Sequence, residues 1–198
     1  MAKAGGSSIS TRAALVFQGG IGVVGLVGIW LFNIPVQWGG LSPFELVLYG
    51  ALGAAATYLT LVLVTRIPGL FPDNLERQMR GLHRFARSFS WTVLVALSVL
   101  AGVGEELLFR GAIQGWLIQH TGPWTALIAS SVLFGLVHYI SFTYFLVATG
   151  LGMVLGSAYH LSGSLGLVMI WHALYDMLAL YCLLRFPHWF GINPPGPR

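Results

Sequence analysis

The chain reads as an all-α, polytopic integral membrane protein with about six transmembrane helices and both termini on the cytoplasmic side. Three observations predict this. Of the 198 residues, 56% are hydrophobic and only 8% are charged, against roughly 25% charged in soluble domains. Mean hydropathy is +0.78, and the apolar residues gather into runs near the about 20 residues that a helix needs to cross a bilayer. Lysine and arginine fall between the runs, and almost all on one side.

The runs follow in order. The first, about 13–32, comes after Lys3 and Arg12 and exceeds the roughly 7–15-residue core of a cleavable signal peptide. The second, 44–65, is opened by Ser42-Pro43, a cap followed by a first-turn proline, and closed by Ile67-Pro68-Gly69. Thr121-Gly122-Pro123 separates the third, 91–112, from the fourth, 123–140. A turn near Ser141 divides the fourth from the fifth, 143–161, and is the least marked boundary. Ser162-Gly163-Ser164 leads into the sixth, 164–184. The chain divides into an N-terminal pair of helices with a basic loop (1–87), a helical core (88–185) and a short tail (186–198), within one structural domain.

The loops set the orientation. Lys3, Arg12, Arg66, Arg77, Arg80, Arg84, Arg87, Arg185 and Arg198 fall on one side, nine of the ten basic residues. The positive-inside rule makes that side cytoplasmic, or stromal or matrix in an organelle, so the expected location is a cell inner or plasma membrane, with an organelle membrane as the alternative. This placement in loops argues against a nucleic-acid partner, despite the net charge of +4 and a pI near 9.6. The 66–87 loop is itself amphipathic, with Leu75, Met79, Leu82, Phe85 and Phe89 among its arginines, as in a helix lying on a membrane surface. Gly111-x-x-x-Gly115 and Gly152-x-x-x-Gly156 suit close helix packing in lipid. Cys182 is the single cysteine, which excludes an internal disulfide and a cysteine metal cluster.

Ionisable residues inside the runs carry the functional signal. A charge at a bilayer midplane costs about 2.5–3.5 kcal/mol on insertion scales, so a helix that only spans the membrane has no use for one. Glu105-Glu106-x-x-x-Arg110 places Glu106 one turn before Arg110, the favoured order for an ion pair. Glu105 points about 100° away from Glu106 and needs a different partner. Phe134-x-x-x-His138 and His172-x-x-x-Asp176 each put two side chains on one helix face. Lipid offers these groups no partners, so they must find one another. Two chemistries fit: a glutamate and a histidine activating water, or the same groups binding Zn²⁺ or another divalent ion that lowers the pKa of water. Both are hydrolytic. No His-Glu-x-x-His zinc signature, rhomboid-type Gly-x-Ser-Gly or Glu-x-x-His repeat is present. Tyr175-Asp176 is similar to the Tyr-Asp pair of presenilin-type proteases, but the Gly-x-Gly-Asp partner is missing.

The three signatures, in this order and each in an apolar run, resemble the CPBP family of intramembrane proteases, also called the CAAX-protease or Abi family, over about residues 88–185. Eukaryotic and archaeal members trim prenylated CAAX proteins. The resemblance implies an endopeptidase acting on a membrane protein or peptide in the bilayer, prenylated CAAX substrates among the candidates. It implies Glu105 as the base activating water together with His138, and His172 as donor to the oxyanion. Glu106, Arg110 and Phe134 would support them. The family's last signature commonly ends in asparagine, where this chain has Asp176, so Asp176 either donates while protonated or orients His172. In the metal alternative Glu105, His138 and His172 are the ligands.

Two other functions fit the same residues: a non-catalytic scaffold, chaperone or immunity-type protein keeping a buried polar network, and an ion transporter. At 1.5 Å per residue Glu105 lies roughly 20 Å from the inner end of its run. His172 and Asp176 lie roughly 12–18 Å from that face, and His138 only about 8 Å, out of level with the rest.

Overall fold

A computed structural model describes residues 10–70 and 75–192, apart from the Leu75 side chain; Lys3, Arg198, the Leu75 side chain and the tail from 193 lie outside the described residues. Regular structure among the described residues is helical except for one antiparallel bridge, Trp38 to Ser164. The helices are α1 (Thr11–Leu31), α2 (Pro43–Thr65), α3 (Leu75–Ala86), α4 (Trp91–Glu106), a π-helical segment (Leu107–Gln114), α5 (Gly115–His120), α6 (Pro123–Val137), α7 (Phe142–Ser162) and α8 (Leu165–Arg185). A 3-10 turn, Pro187–Phe190, follows.

Serines start most of them. Ser10, Ser42, Ser90, Ser141 and Ser164 are N-caps, each accepting a backbone N–H of the first turn. At Ser42 the cap is reciprocal: Glu45 N donates to Ser42 Oγ and Ser42 N donates to Glu45 Oε2 at 2.8 Å, with Pro43 in the first turn. Gly163, in the left-handed region at φ 60°, ends α7.

Five helices are long and apolar enough to cross a membrane: α1, α2, the continuous stretch Trp91–His120, α7 and α8. A 21-residue helix such as α1 is about 31 Å long, matching a hydrocarbon core of about 30 Å. Val16, Val23 and Trp30 on α1 and Phe44, Leu52 and Leu63 on α2 are exposed, as lipid-facing positions require. The chain is an integral membrane protein.

Two boundaries differ from the sequence reading. The third run continues helical to His120 rather than stopping near 112. Gln114 ends the apolar run but does not break a helix, and its amide donates to Gly156 O at 3.1 Å inside the protein. The fourth run is a 15-residue helix, about 22 Å, that stops at Val137 rather than 140. Ser141 caps α7 at Phe142, so residues 138–141 must turn. The fourth membrane element, α6, is therefore shorter than a full span.

Helices α4 and α8 pack on each other at the centre; α1 packs on α4 and the π-helical segment, α2 on α8, and α6 on α7. Small residues permit the closest approaches. A Cβ on Gly102 of α4 would lie 2.6 Å from Ala173 N of α8, and one on Gly25 of α1 would lie 2.7 Å from Leu108 N. Phe109, Phe134, Leu155, Leu165 and Val168 fill the core between these helices. The Trp38–Ser164 bridge ties the α1–α2 and α7–α8 connections at one end. Helix order and direction put α3, Arg12, Arg66 and Arg185 at the other.

Candidate active site

Glu105 and Glu106 close the last turn of α4, where the helix widens into the π-helical segment. Such segments are rare and frequent at functional sites. The two carboxylates diverge, and each finds its own set of partners.

Glu106 is fully buried and acts as an anchor. Its Oε1 accepts from Arg110 Nη1 at 3.0 Å and faces His172 Nδ1 at 2.8 Å. Arg110 is also buried; its Nη2 donates to Gly152 O at 2.9 Å, and its guanidinium carbon lies 4.9 Å from the Phe134 ring centroid. The Glu106–Arg110 pair is thus neutralised, hydrogen-bonded to His172 and Gly152 and capped by an aromatic face, while Glu106 Oε2 has no hydrogen-bond partner among the described residues. Arg110 and Gln114, four residues apart, donate to the carbonyls of Gly152 and Gly156, also four apart. The Gly152/Gly156 pair, read as packing residues, therefore also supplies acceptors at the site.

Glu105 is buried and directed elsewhere. Its Oε1 accepts from Gln18 Nε2 of α1 at 2.7 Å. Its Oε2 lies 3.5 Å from His138 Nε2 and 3.9 Å from His172 Nε2, and among the described residues no donor hydrogen-bonds it. His138 is the C-cap of α6, and its Nδ1 lies 2.8 Å from Phe134 O. A carbonyl only accepts, so Nδ1 carries a proton and Nε2 faces Glu105. The depth mismatch expected for His138 disappears because α6 stops short, at the level of Glu105.

Phe134 sits between the groups, its ring centroid 4.4 Å from that of His138 and 5.8 Å from that of His172. Asp176 Oδ2 is 3.8 Å from His172 Nε2, with its side chain 29% exposed. Glu105, His138, His172 and Asp176 all line one cavity of 990 Å³. Gln18, Tyr144 and Tyr175 share that wall, and apolar side chains of α1, α2, α3, α4 and α8 make most of the rest.

All seven residues singled out in the sequence thus meet in one place. Gln18 and Tyr144 were missed, and Tyr175 was noted only beside Asp176 and not as a site residue. Gln18 is a neutral amide in an apolar run, a weaker signal than a charge, and its partner is 87 residues away. Among the described residues no group of three or more His, Cys, Asp or Glu side chains could hold a metal ion. One oxygen of Glu105 is engaged by Gln18 and one nitrogen of His172 by Glu106.

Residues 87–178 match the family described as Rce1-like, type II CAAX prenyl endopeptidase. A stretch of 98 residues is 34% identical to the uncharacterized protein YpbD of Bacillus subtilis (strain 168), covering 48% of this chain and 47% of that protein. The chain thus spans about half the length of the curated relative it matches. No solved structure matches. The matched segment contains all three signatures, so over residues 87–178, just under half of its length, the chain is similar to the Rce1-like family of type II CAAX prenyl endopeptidases.

Proposed function

We propose that the chain is an intramembrane endopeptidase that cleaves a membrane-associated protein or peptide, using Glu105 and His138 to activate water. The observation that carries this reading is the convergence of Glu105 Oε2, His138 Nε2 and His172 Nε2 at the wall of an apolar cavity. The separations of 3.5 and 3.9 Å are longer than ordinary hydrogen bonds and leave Glu105 Oε2 free to accept from a water at the cavity wall.

In the proposed reaction, water donates a proton to the Glu105–His138 pair as its oxygen bonds to the scissile carbonyl carbon. His172 in its imidazolium form, held through Nδ1 by Glu106, donates from Nε2 to the developing oxyanion. Collapse of the tetrahedral intermediate breaks the C–N bond, and the proton held by the pair passes to the departing amine. Gln18 fixes one oxygen of Glu105 so that the other faces the water. Asp176 orients His172 across 3.8 Å. Substrate reaches the cavity from the end that carries α3, cytoplasmic by its arginines, or between helices.

The test is quantitative mapping of N- and C-terminal peptides from host membranes carrying wild type or Glu105→Gln at matched levels. New termini that vanish only in the variant support the protease. Identical termini, with the variant still serving the cell, would sink this reading and favour a scaffold.

A further inference from the structure

Helix α3 has two faces with different surroundings. Arg77, Arg80 and Arg84 fall within about 60° of arc at 100° per residue, and all three are exposed. Arg87 follows in the terminating turn, also exposed. On the other side Met79, Leu82 and Phe85 line the same cavity that holds Glu105. Only Asp73 and Glu76 offset the arginines between Arg66 and Ser90, and Glu76 pairs with Arg80. Burial and the nearby Arg87 hold His83 below its usual pKa, so it adds no charge near neutral pH.

Position identifies what such a stripe meets. The segment leaves the end of α2 at Arg66 and enters α4 at Trp91, and α3 packs against α8 and the Pro187–Phe190 turn. Trp91 and Trp189 are about half exposed beside it, the amphipathic aromatics typical of headgroup level. A row of exposed guanidiniums at that level faces phosphates.

We propose that the arginine stripe of α3 binds anionic phospholipid headgroups, seating α3 as the wall that closes the arginine-bearing end of the Glu105 cavity. Lipid charge then sets how firmly that wall is held. Lipid binding stands independently of the protease reading; only its effect on cleavage rests on it.

The test uses the purified full chain in neutral detergent, titrated with soluble short-chain phosphatidylglycerol or phosphatidylcholine, with bound lipid counted by native mass spectrometry. Phosphatidylglycerol should bind at least tenfold tighter. Replacing Arg77, Arg80, Arg84 and Arg87 by Gln should weaken it about fivefold per residue. Replacing all four by Lys should keep affinity within about fivefold, since lysine also binds phosphate as a point charge. Equal binding of both lipids, or full binding by the Gln variant, overturns the proposal. Displacement by inorganic phosphate as effective as by phosphatidylglycerol overturns it in favour of a free-anion site. In vesicles, cleavage by wild type should change with phosphatidylglycerol content while cleavage by the Gln variant does not. A Glu105→Gln variant that binds lipid normally separates failure of the lipid site from failure of the catalytic reading.

Discussion

Replacing Gln18 with Leu probes the site from outside the segment that carries its signatures. Gln18 Nε2 donates to Glu105 Oε1 at 2.7 Å, and a hydrogen bond to a charged group contributes about 1.5–3 kcal/mol. At 1.36 kcal/mol per factor of ten, losing it corresponds to roughly 10- to 150-fold. Leucine keeps similar bulk in an apolar helix. The α1–α4 contact through Gly22 and Gly104, where a Cβ on Gly22 would lie 3.2 Å from Gly104 Cα, is not touched. The variant should therefore insert and fold. Its kcat should fall about 10- to 100-fold with KM nearly constant, because Gln18 orients the base and need not hold the substrate. The assay is steady-state cleavage, in detergent, of a peptide taken from the mapped termini, alongside a thermal melt. Gln18→Asn, one methylene shorter, should recover only part of the loss. A Gln18→Leu protein with wild-type kcat would refute the idea that α1 completes the site. A drop confined to KM would move Gln18 from positioning to substrate binding.

Three further outcomes follow from the same geometry. Arg110→Met leaves the buried Glu106 with His172 as its remaining partner, and breaking a buried pair costs about 3–5 kcal/mol; a melt in detergent should show a large destabilisation, and unchanged stability would mean the pair is not structural. Asp176→Asn should keep cleavage within about tenfold, because an amide can still orient His172 or donate. Complete loss would show that a carboxylate is required there. Prolonged chelation should leave kcat unchanged, whereas loss restored by Zn²⁺ would replace the water mechanism with a metal one.

What could be read from the sequence, and what could not, has a physical pattern. The spans were legible because lipid demands long apolar helices, and the start of α2 because Ser42 and Pro43 mark it through a local cap, whereas the Ser90 and Ser141 caps were not recognised in the sequence. The charged signatures stood out because ionised groups are costly in hydrocarbon. Geometry within one helix also carried over: Glu106 does pair with Arg110, and Glu105 does turn to a different partner. Relations between helices were harder to read. His138 looked too shallow because an apolar run records composition, not where α6 stops, and only the Ser141 cap shortens it.

Gln18 illustrates the deeper limit. An uncharged amide in a membrane helix carries a small penalty, so it leaves little trace in composition, yet here it holds the most reactive carboxylate of the proposed mechanism. In the proposed mechanism the signatures on α4, α6 and α8 supply the reacting groups. Their alignment depends on a donor from α1, which reaches Glu105 because Gly22 and Gly25 let α1 sit close against α4 and the π-helical segment. The site accordingly draws on residues from both sides of the 87/88 boundary. A fragment limited to the matched segment would retain both glutamates and both histidines but leave Glu105 Oε1 without its donor, so the proposed catalytic unit includes the N-terminal helix.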